Sequence, residues 1–218
     1  MVIWLASWPQ SGSTMLRWIL KDVFGQQAYS EYDEPRLEWL FGPTMDNFVK
    51  SWSLSRYLQL QEDPGDWYVK THSVPKQITD DPVIWTCRDG RNAISALARF
   101  YGVRAYELIL GQNIFFADWT TFYRAWNPLN RPNTLVLHYE QLCEDTEGQI
   151  QRISDFLMKP IVGEFKSRRD EAHKWYPQLF KRTPTKYQEV MTADEQELFW
   201  EFHGQTMKDL GYVDERAE

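Results

Sequence analysis

Val2-Ile3-Trp4-Leu5-Ala6-Ser7-Trp8-Pro9-Gln10-Ser11-Gly12-Ser13-Thr14 opens the chain, and an amphipathic stretch from Ser13 to about Phe24 follows it. The apolar run Val2 to Ala6 reads as a buried strand, the Pro- and Gly-bearing segment as a tight loop, and the stretch beyond as a helix. A glycine at such a junction lets backbone N–H groups turn toward a ligand. Ser11, Ser13 and Thr14 add hydroxyl donors, and the helix N-terminus adds partial positive charge, so the segment can cradle an anion. A plain N-capping loop built on Ser13 is the alternative, and this segment alone leaves both readings open. No lysine follows Gly12, so the Walker pattern is absent and a nucleoside-triphosphate hydrolase is disfavoured.

Outward from this unit the pattern repeats. Trp67 to Thr71, Val83 to Cys87 and Thr134 to Tyr139 are short strand-like runs bounded by Pro, Gly or Asp. Between and after them, helical periodicity runs over Asp46–Leu60, Gly90–Phe100, Asn113–Trp126, Thr146–Met158 and Ala193–Leu210. Strands alternating with helices predict an α/β fold: a central four- to five-stranded parallel sheet flanked by helices. No repeat, low-complexity tract or Gly/Ser linker divides the chain, so residues 1–218 read as one domain. In such sheets ligands bind beyond the carboxyl ends of the strands.

Composition narrows the function classes. A net charge of −7 argues against a general nucleic-acid binder. The acidic balance is uneven, because Lys166, Arg168, Arg169, Lys174, Lys181, Arg182 and Lys186 cluster against only Asp170 and Glu171. That segment is either a solvated face or a surface for a multiply charged anion. The two cysteines, Cys87 and Cys143, have no metal-ligand spacing and fit a reducing cytoplasm. The start of the sequence lacks the basic region of a signal peptide, and no stretch offers about 20 clean apolar residues. A soluble, unexported protein is expected. Aromatic residues are abundant, at 11 Trp, 11 Tyr and 12 Phe, and are expected to fill the core or line pockets.

Four segments, taken in order, resemble the motifs of the PAPS-dependent sulfotransferases. Pro9-Gln10-Ser11-Gly12-Ser13-Thr14 resembles their 5′-phosphosulfate loop, usually Pro-Lys-Ser-Gly-Thr-Thr-Trp. Val69-Lys70-Thr71-His72 resembles the strand end that carries the catalytic base. Cys87-Arg88-Asp89-Gly90-Arg91-Asn92 with Ser95 resembles the 3′-phosphate motif, and Leu137-His138-Tyr139-Glu140-Gln141-Leu142 the segment whose tyrosine lies near adenine. The ending Phe199-Trp200 through Leu210-Gly211-Tyr212 is similar to the closing helix of bacterial members. The resemblance implies a P-loop-like fold and transfer of a sulfuryl group from 3′-phosphoadenosine 5′-phosphosulfate (PAPS) to an acceptor hydroxyl or amine, with no metal. It assigns the 5′-phosphosulfate to Ser11, Gly12, Ser13 and Thr14, and the 3′-phosphate to Arg88 with Ser95.

Three departures stand out. Gln10 replaces the loop lysine that would stabilise the leaving phosphate oxygen. Met15 occupies the position of the tryptophan that stacks on adenine, with Trp18 nearby. The late Arg-x-Gly-x-x-Gly clasp survives only as Phe180-Lys181-Arg182-Thr183-Pro184, where Lys181 and Arg182 supply charge without the glycines. The arginine-to-serine spacing is also seven rather than eight, a rotation of about 100° on a helix.

The residues themselves agree with this chemistry. Side chains alternate along a strand, so Lys70 and His72 share a face. A histidine titrating near neutrality suits removal of an acceptor proton, and Lys70 beside it supplies charge. Arg88 offers a planar fork to a phosphate, whereas Arg91 is expected in a surface salt bridge. His138, His173 and His203 lack ligand spacing, so no metal is assigned, and Leu198, Phe202, Met207 and Leu210 read as a core stripe. Glu31, Asp33 and Glu34 form an acidic turn, read as a solvated loop that in the alternative lines an acceptor site. The expected partner is a small-molecule, lipid or sugar acceptor, with no nucleic acid and no membrane span. Two readings remain at this point: an active transferase, or a degenerate relative that binds PAPS or its product without transfer.

Overall fold

Each of the four apolar runs folds as a strand, and a fifth strand joins them. The computed structural model describes residues 1–31, 54–75, 80–112, 116–175, 177 and 185–213. The strands are β1 (Val2–Ser7), β2 (Ala28–Ser30), β3 (Trp67–Thr71), β4 (Val83–Cys87) and β5 (Thr134–His138). They form one parallel sheet in the order β2-β3-β1-β4-β5. The helices are α1 (Ser13–Phe24), α2 (Leu54–Glu62), α3 (Gly90–Tyr101), α4 (Ala105–Ile109), α5 (Trp119–Trp126), α6 (Tyr139–Glu144), α7 (Thr146–Leu157), α8 (Arg169–Trp175) and α9 (Ala193–Asp209). The chain winds outward from β1 to one edge and then to the other. The crevice beyond the carboxyl ends of β1 and its neighbours is therefore the switch point where such sheets bind ligands.

Strand alternation sorts the core into two layers. Ile3, Leu5, Tyr68, Ile84 and Leu137 face Leu16, Ile19, Leu20 and Val23 of α1 and Ile150 and Ile153 of α7. Trp4, Ala6, Val69, Val83 and Trp85 face the larger layer, which includes Leu97 of α3, Trp119 and Phe122 of α5, and Phe199 and Met207 of α9. Burying one such side chain is worth about 1.5–3 kcal/mol. Many of the aromatics fill this second layer: Trp4 stacks with Tyr57 at 6.3 Å, and Trp119 tilts against Phe199 at 6.2 Å.

Several sequence expectations shift. Tyr139 does not end a strand; it is the first residue of α6. The predicted helix from Asn113 is ordered here as α5 from Trp119, capped by Asp118, whose carboxylate accepts the Thr121 N–H. Residues 113–115 lie outside the described residues, as do residues 46–53 of the helix expected from Asp46. The buried stripe of α9 is Phe199, His203, Thr206 and Met207, while Phe202 is half-exposed, one helical step around. Arg91 is in an ion pair with Asp89, at 2.6 Å, but the pair is buried rather than on the surface. Its guanidinium also donates to the Tyr187 hydroxyl at 3.0 Å and lies over the Tyr187 ring.

His203 carries a consequence for stability. Its Nε2 lies 3.1 Å from the Ile109 carbonyl and its Nδ1 2.9 Å from the Thr120 hydroxyl, so the neutral ring is satisfied. Burial holds its pKa below the usual 6.5, at about 4. The unfolded chain keeps the ordinary value, so between these two pH values it binds more protons than the folded one, and stability falls as pH falls. Moving from pH 7 to pH 5 is expected to cost about 2 kcal/mol through His203 alone, or roughly 4–8 °C in Tm at this chain length. His72 and His138, also lowered by burial, act in the same direction. Thermal melts of the parent and of His203→Gln check this: the variant should lose much of the pH dependence, and an equal slope in both would contradict the assignment.

Candidate active site

Four strand ends build the site. After β1, the loop Trp8 to Gly12 turns into α1, and Gly12 is the N-cap with φ 101°, in the left-handed region. Ser13 is already helical, and the N-cap, a glycine, has no side chain to cap this terminus. The capping-loop alternative is thus not realised, and the first-turn N–H groups keep their intrinsic pull on anions. A Cβ at residue 12 would sit 2.8 Å from Cδ2 of Tyr139, so glycine is required by contact as well as by conformation. Ser11 is buried, and its hydroxyl has no hydrogen-bond partner among the described residues. A buried, unpartnered hydroxyl inside an uncapped loop fits a ligand oxygen.

Gln10 lies between Pro9 and Ser11 with φ 64°. A left-handed glutamine costs on the order of 1–3 kcal/mol and persists only where its surroundings impose it. Here Nη1 of Arg88 donates to the Gln10 carbonyl at 3.2 Å, and Nη2 donates to the Thr185 carbonyl at 3.4 Å. Arg88, directly after β4, is buried, and its guanidinium lies 5.0 Å from the centre of the Tyr139 ring. The structure therefore brings Gln10, Gly12, Arg88 and Tyr139 into one cluster. Thr185 adjoins the segment with Lys181 and Arg182, which lie outside the described residues.

Ser95 is fully buried in α3, and its hydroxyl has no partner among the described residues. The half-buried positions Asn92, Ala96 and Arg99 form a different stripe, which meets residues 187–189: Asn92 accepts the Tyr187 N–H, and Arg99 pairs with Glu189. Ser95, three residues after Asn92 and four before Arg99, borders that stripe on its buried side.

After β3 come the candidate base and its neighbours. The parallel register pairs Leu5 and Ser30 with Lys70, which puts Lys70 on the α1 side of the sheet, and His72 follows on the same side. Nδ1 of His72 lies 2.6 Å from the Ser7 carbonyl and 3.3 Å from the Ser7 hydroxyl. A carbonyl only accepts, so Nδ1 of the neutral ring carries the proton. Burial, then the charges of Lys70 and Arg17, hold this imidazole well below 6.5, while the Ser7 carbonyl pulls the other way. The expected near-neutral titration is thus replaced by a ring that stays neutral in the unliganded protein.

Sequence reasoning missed several contributors. Glu31, expected in a solvated turn, is buried; its carboxylate accepts from the Thr71 hydroxyl, and its N–H donates to the Lys70 carbonyl at 2.9 Å. The other acidic residues of that turn, Asp33 and Glu34, lie outside the described residues. Glu140 accepts the Asp89 N–H and the Tyr212 hydroxyl, each at 3.0 Å. It ties the turn after β5 to the turn after β4, and so holds Tyr139 beside Arg88. A carboxylate one residue past a strand end was the available signal. Among the described residues no group of three or more His, Cys, Asp or Glu is placed to hold a metal ion, and no helix is long and apolar enough to cross a membrane.

Comparison with known proteins agrees with this architecture. Mouse sulfotransferase 2A2 is 40% identical over 57 residues, 26% of this chain and 20% of that protein. The luciferin sulfotransferase of Photinus pyralis is 24% identical over 188 residues, 72% of this chain and 51% of that protein. The matches thus span between a fifth and about half of those relatives' length. Among solved structures, mouse sulfotransferase SULT7A1 complexed with PAP superposes with a TM-score of 0.67 at 15% identity, covering 96% of this chain and 85% of that one. At that identity the likeness is one of fold. The sulfotransferase domain family matches residues 2–211, and with that match over nearly its whole length the chain belongs to the sulfotransferase domain family.

Proposed function

We propose that the chain is a PAPS-dependent sulfotransferase acting on a hydroxyl or amine of a small-molecule, lipid or sugar acceptor. The observation that supports this reading is a glycine-turned helix N-terminus whose loop carries the Arg88 guanidinium on the Gln10 carbonyl and His72 on the Ser7 carbonyl at its base. Lys70 and Arg88, at the carboxyl ends of β3 and β4, and Arg17 of α1 are buried cations in a protein of net charge −7, beside the buried Arg91–Asp89 pair. Such a concentration of buried positive charge suits a polyanion.

When bound, PAPS supplies an activated sulfuryl group. Ser11, Ser13 and Thr14 with the first-turn N–H groups hold the 5′ end, and Ser11 gains the partner it lacks. Arg88, with Ser95 and with Lys181 and Arg182, serves the 3′-phosphate, and Tyr139 lies by the adenine. His72, held by Ser7 in the Nε2-basic tautomer, takes the acceptor proton, and Lys70 supplies charge at the transferring group. Positioning and electrostatic stabilisation do most of the work in such a transfer. We assign the chain to a single domain and to the cytoplasm, in keeping with its free Cys87 and Cys143.

Gln10 favours a second reading, a relative that binds PAPS or PAP without transfer. Incubation with labelled PAPS and a panel of alcohols, phenols and amines separates the two: labelled product supports the first, and tight binding without product supports the second.

Binding alone tests the nucleotide assignment. PAP is expected to raise the Tm more than AMP does, because Arg88 meets a 3′-phosphate. Stabilisation grows with ligand by about 2.7 kcal/mol at a hundredfold excess over Kd. Arg88→Ala should erase the difference between the two ligands. Equal shifts with PAP and AMP on the parent would overturn the 3′-phosphate site.

A further inference from the structure

The loop lysine is missing, yet the site does not lack a third cation. Arg17 is the fifth residue of α1 and lies one turn past Ser13, on the same side of the helix. Helical side chains lean toward the helix N-terminus, so Arg17 is directed back toward the cradle rather than away from it. The side chain is not in solvent: only 4% of Arg17 is exposed. Its neighbours in sequence, Leu16, Ile19 and Leu20, pack on Leu5 and Tyr68. This is the face of the sheet on which Lys70 and His72 project. α1 follows β1 directly through the loop Trp8 to Gly12 and packs on the sheet face that carries Lys70. Arg17 thus approaches from the helix side the same space that Lys70 approaches from the sheet side.

We propose that Arg17 is the cation that serves the 5′-phosphate end of the donor in place of the loop lysine. The proposal rests on the sulfuryl-transfer reading and deepens it. A neutral Gln10 offers the bridging phosphate oxygen an amide hydrogen bond, and Arg17 offers a charge-assisted one, about twice as strong. The depressed titration of His72, to which the Arg17 charge contributes, agrees with the two groups sharing one space. Arg88 and Arg17 then divide the donor between them: Arg88 reads the 3′-phosphate, and Arg17 reads the 5′ end.

That division is directly measurable by calorimetry with 5′-AMP, 3′-AMP and PAP on the parent, Arg17→Met, Arg17→Lys and Arg88→Ala. Arg17→Met should weaken 5′-AMP and PAP by roughly tenfold or more, the scale of one charged hydrogen bond. It should leave 3′-AMP within about twofold, and Arg17→Lys should recover part of the loss. Arg88→Ala should show the reverse pattern. A Gln10→Lys change should rescue 5′-AMP binding in the Arg17→Met background. NMR titration of His72, one of only four histidines, should show its pKa rising in Arg17→Met, provided circular dichroism reports an intact fold. Should Arg17→Met be unfolded, the Arg17→Lys and Gln10→Lys affinities for the two mononucleotides decide the matter. Unchanged 5′-AMP binding in Arg17→Met, or equal weakening of 5′-AMP and 3′-AMP, overturns the role of Arg17 while leaving the transferase reading in place. A parent that binds none of the three nucleotides overturns both.

Discussion

Replacing His72 by Ala is expected to lower sulfuryl transfer by at least about a hundredfold while leaving PAP affinity nearly unchanged. A positioned general base contributes about 10²–10⁴-fold, and the Ser7 carbonyl holds the Nδ1 side of the His72 ring. Ser7 occupies Nδ1, so the acceptor proton has a single destination, Nε2. The pH profile adds a readout that a structural role would not give. In the unliganded protein, burial and the charges of Lys70 and Arg17 depress the His72 pKa. The neutral, competent form therefore dominates at neutral pH and is lost only in acid well below 6.5. In kcat/KM for PAPS, which reports the free enzyme, the acid limb should lie in that range. Binding of a polyanion offsets the two cations, so kcat/KM for the acceptor at saturating PAPS should show its acid limb at higher pH. Transfer in His72→Ala at the parental rate, or coincident acid limbs, would remove His72 from the role of base.

The sheet and the loop were legible because burial on both faces of a parallel strand leaves an unbroken apolar run. Val83 to Cys87 is such a run, and all five residues are buried. Strand β2 gave no such sign. Ala28-Tyr29-Ser30 is short and only partly buried, and its pairing is dictated by β3. The same pairing explains the misreading of Glu31. As a local sequence it is a polar turn, but the register sets it beside Thr71, where a buried hydroxyl meets its carboxylate. The strand-like run Thr134 to Tyr139 extends one residue beyond β5, because Tyr139 to Glu144 form a short helix directly after it. Gln10 shows the opposite limit. Its left-handed backbone follows from Arg88 seizing its carbonyl, a contact across 78 residues of sequence that no local pattern announces. Arg17 was overlooked for a related reason. On a helical wheel it merely flanks the apolar stripe of α1, and its burial shows only in the folded chain.

Lys70→Met is the second variant with a large expected effect, a loss of at least about 3 kcal/mol of transition-state stabilisation, the scale of one preorganised donor. Methionine keeps much of the length of a side chain that is 4% exposed, so the loss should fall on turnover more than on folding. Lys70 is expected to matter this much because charge develops where Gln10 brings none, and Lys70 projects on the same sheet face as His72. If the two positions serve one oxygen cluster, Gln10→Lys should restore part of the activity lost in Lys70→Met. The parent, the two single variants and the double variant form a cycle, in which neighbouring groups couple by about 0.5–3 kcal/mol. Strict additivity would mean that Lys70 acts at the transferring group independently of the loop. A parent without turnover that gains it through Gln10→Lys would instead make Gln10 the lesion, and the chain a binder of the nucleotide. Full turnover in Lys70→Met would exclude Lys70 from the reaction altogether, since no neutral side chain of that size can replace a buried charge aimed at a developing anion.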